Sequence, residues 1–345
     1  CFNLPHGSST STMQLRESDD EIYRTLYRDL ELPLPPEYVA KENIETPKLP
    51  ADLHHVADRQ TGYDYVDEPT TLRERYVRQL QAMTGIDHMV GQLRAELKRL
   101  GLAENTVLIF TSDHGLFMGE YGLGGKAFCY EKTTHVPLIV YDPRAPANKR
   151  NKNEDALVQS IDVAPTLLAA AGIPVPESYQ GKNLLPLLAG EITSVREYVF
   201  TENLWSNHFG NPRCEAIQNR EWKYIRYYRN DNFSAKQKIA VAKEMGIPVN
   251  VMLYRVHDPE IAVYRSFVEG PLRGEAPVYE ELFHLKTDPR ERENLAADLR
   301  HAAVLKKLRQ AWKRTIHAAR GEGGLLVLRY TKDSEEERKQ LTKPE

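Results

Sequence analysis

The stretch from Asn105 to Pro143, NTVLIFTSDHGLFMGEYGLGGKAFCYEKTTHVPLIVYDP, constrains the fold more than any other part of the chain. A β-branched apolar run, Thr106 to Phe110, breaks at Ser112 into Asp113-His114-Gly115, and a single lysine follows in Gly124-Gly125-Lys126. A buried parallel strand reads this way, with polar groups gathered past its carboxyl end, the edge where open α/β sheets bind ligands. A second apolar run, Val136 to Tyr141, predicts the next strand. The loop between the two then carries Asp113, His114 and Lys126 on one rim.

The flanking sequence supplies the rest of an α/β pattern. Leu72, Tyr76, Leu80, Met83, Ile86, Val90, Leu93, Leu97 and Leu100 fall three or four apart, and Thr71 with Glu74 fits a capping box, so a long amphipathic helix is expected to feed the strand at Thr106. Helix, short turn, then buried strand is the order of a doubly wound sheet. Upstream, Ser8 to Thr70 is polar and broken by prolines, and reads as a long excursion over the surface. Downstream, Ser160 to Gly172 predicts a helix with Asp162 at its N-cap and Gly172 at its stop. Short alternating runs at Tyr198 to Glu202, Glu215 to Gln218, Trp222 to Tyr228 and Glu280 to Leu285 predict a small antiparallel sheet. Val304, Leu305, Leu308, Ala311, Trp312 and Thr315 give one amphipathic helix to cover it. Residues from about Phe233 to Pro277 show no sustained period and read as an insertion, and 331–345 read as a solvated, charged tail.

Composition narrows the partners. The chain has 345 residues, enough for one large domain and a smaller one, and 46 basic against 49 acidic side chains leave a net charge of −3. That balance argues against nucleic acid or an anionic membrane surface as the main partner. No run of about eighteen apolar residues exists, so no transmembrane helix is expected. Three cysteines, Cys1, Cys129 and Cys214, without a CxxC, indicate neither a disulfide framework nor a structural zinc site.

The candidate chemistry rests on few residues. Asp113 and His114 offer a carboxylate oxygen and an imidazole nitrogen at one strand-to-loop junction, where they could share a cation, although two residues cannot complete a hard-cation site. The bland alternative is a turn in which Asp113 bonds nearby backbone. Lys126, flanked by glycines, could stabilise charge developing on an oxygen at the same rim, against the alternative of a solvated lysine. His6, in Leu4-Pro5-His6-Gly7, could serve as an acid or hydrogen-bond donor near neutral pH, against a structural or exposed histidine. His135, before Val136-Pro137, is expected to orient the loop or pack at the strand entry.

Taken together, these pieces resemble the sulfatase family of the alkaline-phosphatase-like superfamily. The resemblance rests on ordered motifs: Pro5-His6, the TSDHGLFMGEYGLGGK run, YEKTTHVPLIVYDP from Tyr130, SIDVAPTLLAAAGIP from Ser160, Gly181-Lys182-Asn183-Leu184, Trp222-Lys223-Tyr224-Ile225-Arg226, and Glu281-Leu282-Phe283-His284-Leu285. It implies an α/β, doubly wound alkaline-phosphatase-like sheet over 1–195, an antiparallel sheet-and-helix subdomain over 196–330, and a periplasmic or secreted setting. It implies hydrolysis of a small-molecule or saccharide sulfate ester, with a divalent cation, usually Ca2+, with Mg2+ or Mn2+ as alternatives, held in part by Asp113 and His114. Lys126 and His6 would contact the ester. In sulfatases the nucleophile is a formylglycine made within C/S-x-P-x-R, and that motif occurs nowhere in this sequence, nor does a strand ending in Asp-Asp precede His6. The expectation is therefore the C-terminal portion of a sulfatase, inactive alone. A phosphodiester or phosphonate ester hydrolase of the same superfamily is the alternative enzyme. A noncatalytic, degenerate subunit is the alternative outside enzymes.

Overall fold

A computed structural model of the chain describes residues 20–45, 48–50, 53, 64–145, 152–204, 213–228, 270–271 and 274–320. His6, most of the insertion and the charged tail lie outside the described residues. In chain order the elements are α1 (Ile22–Thr25), α2 (Pro69–Arg99), β1 (Leu108–Thr111), β2 (Phe117–Met118), β3 (Gly124–Gly125), α3 (Glu131–Thr134), β4 (Leu138–Tyr141), α4 (Val163–Ala170), α5 (Leu185–Ala189), β5 (Val199–Asn203), β6 (Arg213–Gln218), β7 (Trp222–Tyr228), β8 (Tyr279–His284) and α6 (Ala302–Arg320). They fall into two compact units, one drawn from 1–127, 132–154 and 185–191, the other from 128–131, 155–184 and 192–345. Among the described residues no helix is long and apolar enough to cross a membrane.

In the first unit, α2 starts two residues before Thr71. Pro69 occupies its first turn, where the fixed φ suits a helix and the missing N–H costs nothing. The expected capping box does not form: the Thr71 hydroxyl donates to Glu68 O at 2.9 Å, and Glu74 instead pairs with Arg28 and with Arg78. Of the expected stripe only Leu72 and Ile86 are fully buried, with Val77 beside them, whereas Met83, Leu93 and Leu100 are exposed. Leu72 packs with Tyr65, Val66 and Met118, and a strap drawn from the proline-punctuated excursion bonds to the helix. Tyr27 Oη lies 2.7 Å from Thr84 Oγ1, the buried Gln81 amide donates to Leu26 O at 2.9 Å, and Arg73 donates to Leu30 O at 3.0 Å. Part of the expected surface excursion is thus fixed onto α2.

The strand at Thr106 forms as β1, but its partner corrects the expected direction. β1 and β4 pair antiparallel, Leu108 opposite Tyr141 and Thr111 opposite Leu138, in a two-stranded sheet among the described residues. Neither strand is fully buried: Ile139 and Tyr141, on one face of β4, are 60% and 40% exposed. A continuous apolar run is the usual mark of a strand buried on both faces, as in parallel sheets, but it does not by itself fix the direction of the neighbour.

The second unit matches its expected sheet closely. β5, β6, β7 and β8 are antiparallel in sequence order. Period-two alternation sends Ile217, Tyr224 and Leu282 to one face, where they form a core with Leu305, Leu308, Ala311, Trp312 and Ile316 of α6. The other face carries Cys214, Ile225, Tyr227 and Phe283, and is covered by the segment from Phe128 to Glu131: the Tyr130 ring lies tilted against Phe283 with centroids 6.1 Å apart, and its hydroxyl donates to Glu281 at 2.7 Å. β6 and β7 are consequently buried on both faces, and their charged side chains must be paired.

Glu215 shows what that costs. Its carboxylate accepts bonds from Tyr228 Oη at 2.7 Å and Trp312 Nε1 at 3.0 Å, yet burial pushes its pKa up to about 7 against the lowering pull of Tyr228 and Arg226. An unfolded Glu ionises from its ordinary value of 4.5, so between there and about 7 the folded state holds the extra proton. Stability therefore falls as pH rises through that window. Glu215→Gln is expected to match the parent near pH 4.5 and to exceed it by roughly 3 kcal/mol near pH 8. Urea unfolding at the two pH values checks this, and parallel stability curves would refute it.

Candidate functional site

β1 ends at Thr111, and the chain turns through Ser112, Asp113, His114 and Gly115 before entering β2. The turn is fixed by its own polar groups. Asp113 Oδ1 accepts the His114 N–H at 3.0 Å, and the Ser112 hydroxyl donates to His114 O at 3.0 Å. Gly115 docks the turn on α3: its N–H donates to Thr133 O at 2.9 Å, and a Cβ at this position would lie 2.1 Å from Lys132 O. Only glycine fits that approach.

The β2–β3 ribbon brings Lys126 to the same place. Phe117 pairs with Gly125 and Met118 with Gly124, so the next residues outward, Leu116 and Lys126, lie side by side. Lys126 Nζ stands 2.9 Å from His114 Nε2, while His114 Nδ1 is 3.0 Å from Gly115 O. His114 Nε2 is in turn 3.5 Å from Asp113 Oδ2. The Asp113 side chain is 85% exposed and that of His114 27%, which leaves the carboxylate open to a ligand. Partial burial acts to raise the Asp113 pKa, but the neighbouring His114, backbone N–H groups and the Lys126 charge outweigh it and hold the carboxyl below its usual range. Asp113 is therefore an anion at neutral pH beside a cationic ammonium group.

The structure thus brings Asp113, His114 and Lys126 together across twelve residues of loop, and His6 lies outside the described residues. His135 is exposed just ahead of β4.

Sequence reasoning missed the groups that brace this loop. Glu120, almost fully buried, accepts the Met118 N–H at 2.6 Å and pairs with Lys132 at 2.8 Å. Its signal was a lone acid inside the glycine-rich apolar run from Gly119 to Gly125. From the other side, Val39 N–H donates to Gly119 O at 2.9 Å and Tyr121 N–H to Glu37 O at 2.8 Å, while the Tyr38 hydroxyl donates to Val66 O at 2.8 Å. The LPLPPEY stretch is a buttress for the loop. Gly119, at φ +97, lets the Tyr38 ring approach to where a Cβ would sit at 2.4 Å.

Comparison with known proteins gives a consistent set of likenesses. The family model described as "Sulfatase" matches residues 31–173, and that described as "N-sulphoglucosamine sulphohydrolase, C-terminal" matches residues 119–241. N-acetylglucosamine-6-O-sulfatase of Bacteroides thetaiotaomicron is 28% identical over 243 residues, 70% of this chain and 36% of its own length. Arylsulfatase K of Rattus norvegicus is 34% identical over 239 residues, 66% of this chain and 40% of its own. The solved phosphonate monoester hydrolase of Silicibacter pomeroyi shares the fold with a TM-score of 0.61 at 21% identity, covering 88% of this chain and 53% of that one. The chain spans well under half the length of these two curated relatives.

Proposed function

This chain belongs to the sulfatase family of the alkaline-phosphatase-like superfamily, and on that premise we propose that it forms part of a sulfuric ester hydrolase acting on a sulfated saccharide. The convergence of Asp113, His114 and Lys126 on one rim carries the reading. The likeness to an N-acetylglucosamine-6-O-sulfatase supports the saccharide class. In this reading the β1–β4 pair is one part of a doubly wound sheet, and the catalytic domain spans 1–195 with the antiparallel subdomain over 196–330.

A divalent cation, Ca2+ by family with Mg2+ or Mn2+ as alternatives, fits this donor set in part. Asp113 offers an exposed anionic oxygen and His114 an imidazole nitrogen, the donor types such an ion accepts, but no group of three His, Cys, Asp or Glu able to hold a metal exists among the described residues. Further oxygen ligands would come from residues beyond those described. When bound, the ion would polarise the ester and favour ionisation of the attacking hydroxyl. The chain's own residues do the rest. Lys126 places its ammonium at the rim to stabilise negative charge gathering on the sulfuryl oxygens. Asp113 and the backbone of the Ser112 to Gly115 turn keep His114 in position. His6 would donate a hydrogen bond to the departing alcohol oxygen.

The formylglycine nucleophile would be supplied by a C/S-x-P-x-R motif outside these 345 residues, since the sequence contains none. Release of inorganic sulfate from glucosamine 6-sulfate is expected when the chain is joined to a polypeptide carrying that motif, and not from the chain alone. Asp113→Ala in the joined protein should abolish turnover and weaken calcium binding measured by calorimetry, because a hard-cation site loses an anionic ligand. Unchanged calcium affinity would remove Asp113 from the site. The same residues suit a phosphodiester or phosphonate ester, and preferential cleavage of such a substrate would replace the sulfatase reading with that one.

A further inference from the structure

Cys129 and Cys214 are 85 residues apart in sequence, yet the fold brings their Sγ atoms to 3.5 Å, and both are fully buried. Cys214 is the second residue of β6, opposite Asn203 of β5 and Tyr227 of β7, and alternation sends its side chain to the sheet face turned away from α6. Cys129 belongs to the segment that covers this face, and its thiol also reaches Thr201 O at 3.9 Å. The segment is pinned just beyond it. Tyr130 Oη bonds Glu281 at 2.7 Å and Tyr227 Oη at 3.1 Å, and Glu131 pairs with Lys223 at 2.6 Å.

Buried cysteine by itself is ordinary core packing. The mutual sulfur contact is what sets this pair apart: both sulfurs lie on anchored backbone, and closing their gap to a bond length of about 2.0 Å needs a shift of about 1.5 Å. We propose that Cys129 and Cys214 form a disulfide that staples the Phe128–Glu131 segment to the four-stranded sheet.

A glutathione-type disulfide is the oxidant. The thiolate of one cysteine attacks it, giving a mixed disulfide and one reduced glutathione. The second cysteine then displaces the other glutathione, so the protein gives up two protons and two electrons while one oxidised glutathione becomes two reduced ones. The hydrogen bond to Cys129 and burial hold the Cys214 thiol well above its usual range, and both sulfurs, fully buried, are out of reach of an external disulfide once the sheet is closed. The bond therefore forms while the chain folds and is shielded afterwards. Because it closes a long loop, it constrains the unfolded chain more than a short-range bridge would.

The test is to refold the full chain with equal reduced and oxidised glutathione, alkylate every remaining thiol under denaturing conditions, and map the peptides by mass spectrometry. A linked Cys129–Cys214 peptide, lighter by two hydrogens, should appear in most molecules with Cys1 alkylated. Reductant should lower the Tm of the parent and leave that of Cys129→Ala/Cys214→Ala unchanged. Complete alkylation of both cysteines, or linkage of either to Cys1, would overturn the proposal, and the map of the unaltered chain decides it even where the alanine variants fail to fold.

Discussion

Lys126→Ala is expected to slow sulfate-ester hydrolysis by about a hundredfold or more in a protein completed with the nucleophile motif, the scale seen when one preorganised donor to a developing oxyanion is removed. The argument is positional. The β2–β3 ladder ends at Gly125, so the Lys126 side chain leaves a fixed backbone and its Nζ comes to rest 2.9 Å from His114 Nε2, beside the open carboxylate of Asp113. A cation held there costs little reorganisation when charge builds on a sulfuryl oxygen. The kinetic signature separates two roles: a fall in kcat with kcat/KM marks stabilisation made only in the transition state, whereas a rise in KM alone marks uniform binding of the substrate's anion. Lys126→Arg should recover part of the rate, because it keeps the charge but changes its shape and reach. A near-normal rate in Lys126→Ala would return this lysine to the solvated surface.

That Asp113, His114 and Lys126 share one loop was legible because the two ends of that loop are strands, and strands announce themselves by apolar runs. What the runs could not convey is contact. Nothing in the spacing of Asp113 and Lys126 states that a two-residue ribbon, Phe117–Met118 against Gly124–Gly125, folds the loop back so that Lys126 meets His114. The bracing groups were hidden for the same reason. Glu37, Tyr38 and Val39 lie in a stretch without period, and only the structure shows their backbone bonded to Gly119 and Tyr121.

In the second unit the strands were read nearly to the residue, but their environment was not. Alternation in WKYIRYY puts Arg226 on one face and Lys223 on the other, yet β7 is dry on both. Lys223, Arg226, Glu215 and Glu281 are each buried. Burial of such residues follows from the Phe128–Glu131 segment and α6 arriving on opposite faces, which no local window contains. The antiparallel direction of β4 was likewise a property of a neighbour and not of the strand.

Lys223 gives the largest expected effect on stability. Its side chain is fully buried, with Nζ 2.6 Å from Glu131 Oε1 and 2.9 Å from Glu291 Oε1. Glu291 is nearly as buried, and its second oxygen accepts the Glu131 N–H at 2.7 Å. Burial acts to lower the lysine's pKa, but the charges of Glu291 and Glu131 outweigh it and raise the value, so the ammonium is retained. Lys223→Met preserves volume and leaves two carboxylates facing each other without a cation. Breaking a buried ion group in this way costs about 3–5 kcal/mol near neutral pH. The sign of its pH dependence follows. Without the lysine, burial and mutual repulsion hold the folded carboxylates above their unfolded value, so the folded state binds the extra protons and the deficit shrinks as pH falls toward that value. Replacing both acids as well, in Lys223→Met/Glu131→Gln/Glu291→Gln, should recover most of the loss, because the cost comes from unpaired charge and not from a missing contact. Urea unfolding of the parent and the two variants at neutral and acidic pH measures all three expectations. A deficit under about 1 kcal/mol in Lys223→Met, the range of an exposed pair, would mean that the Phe128–Glu131 segment opens to water and that the ion group does not hold it to the sheet.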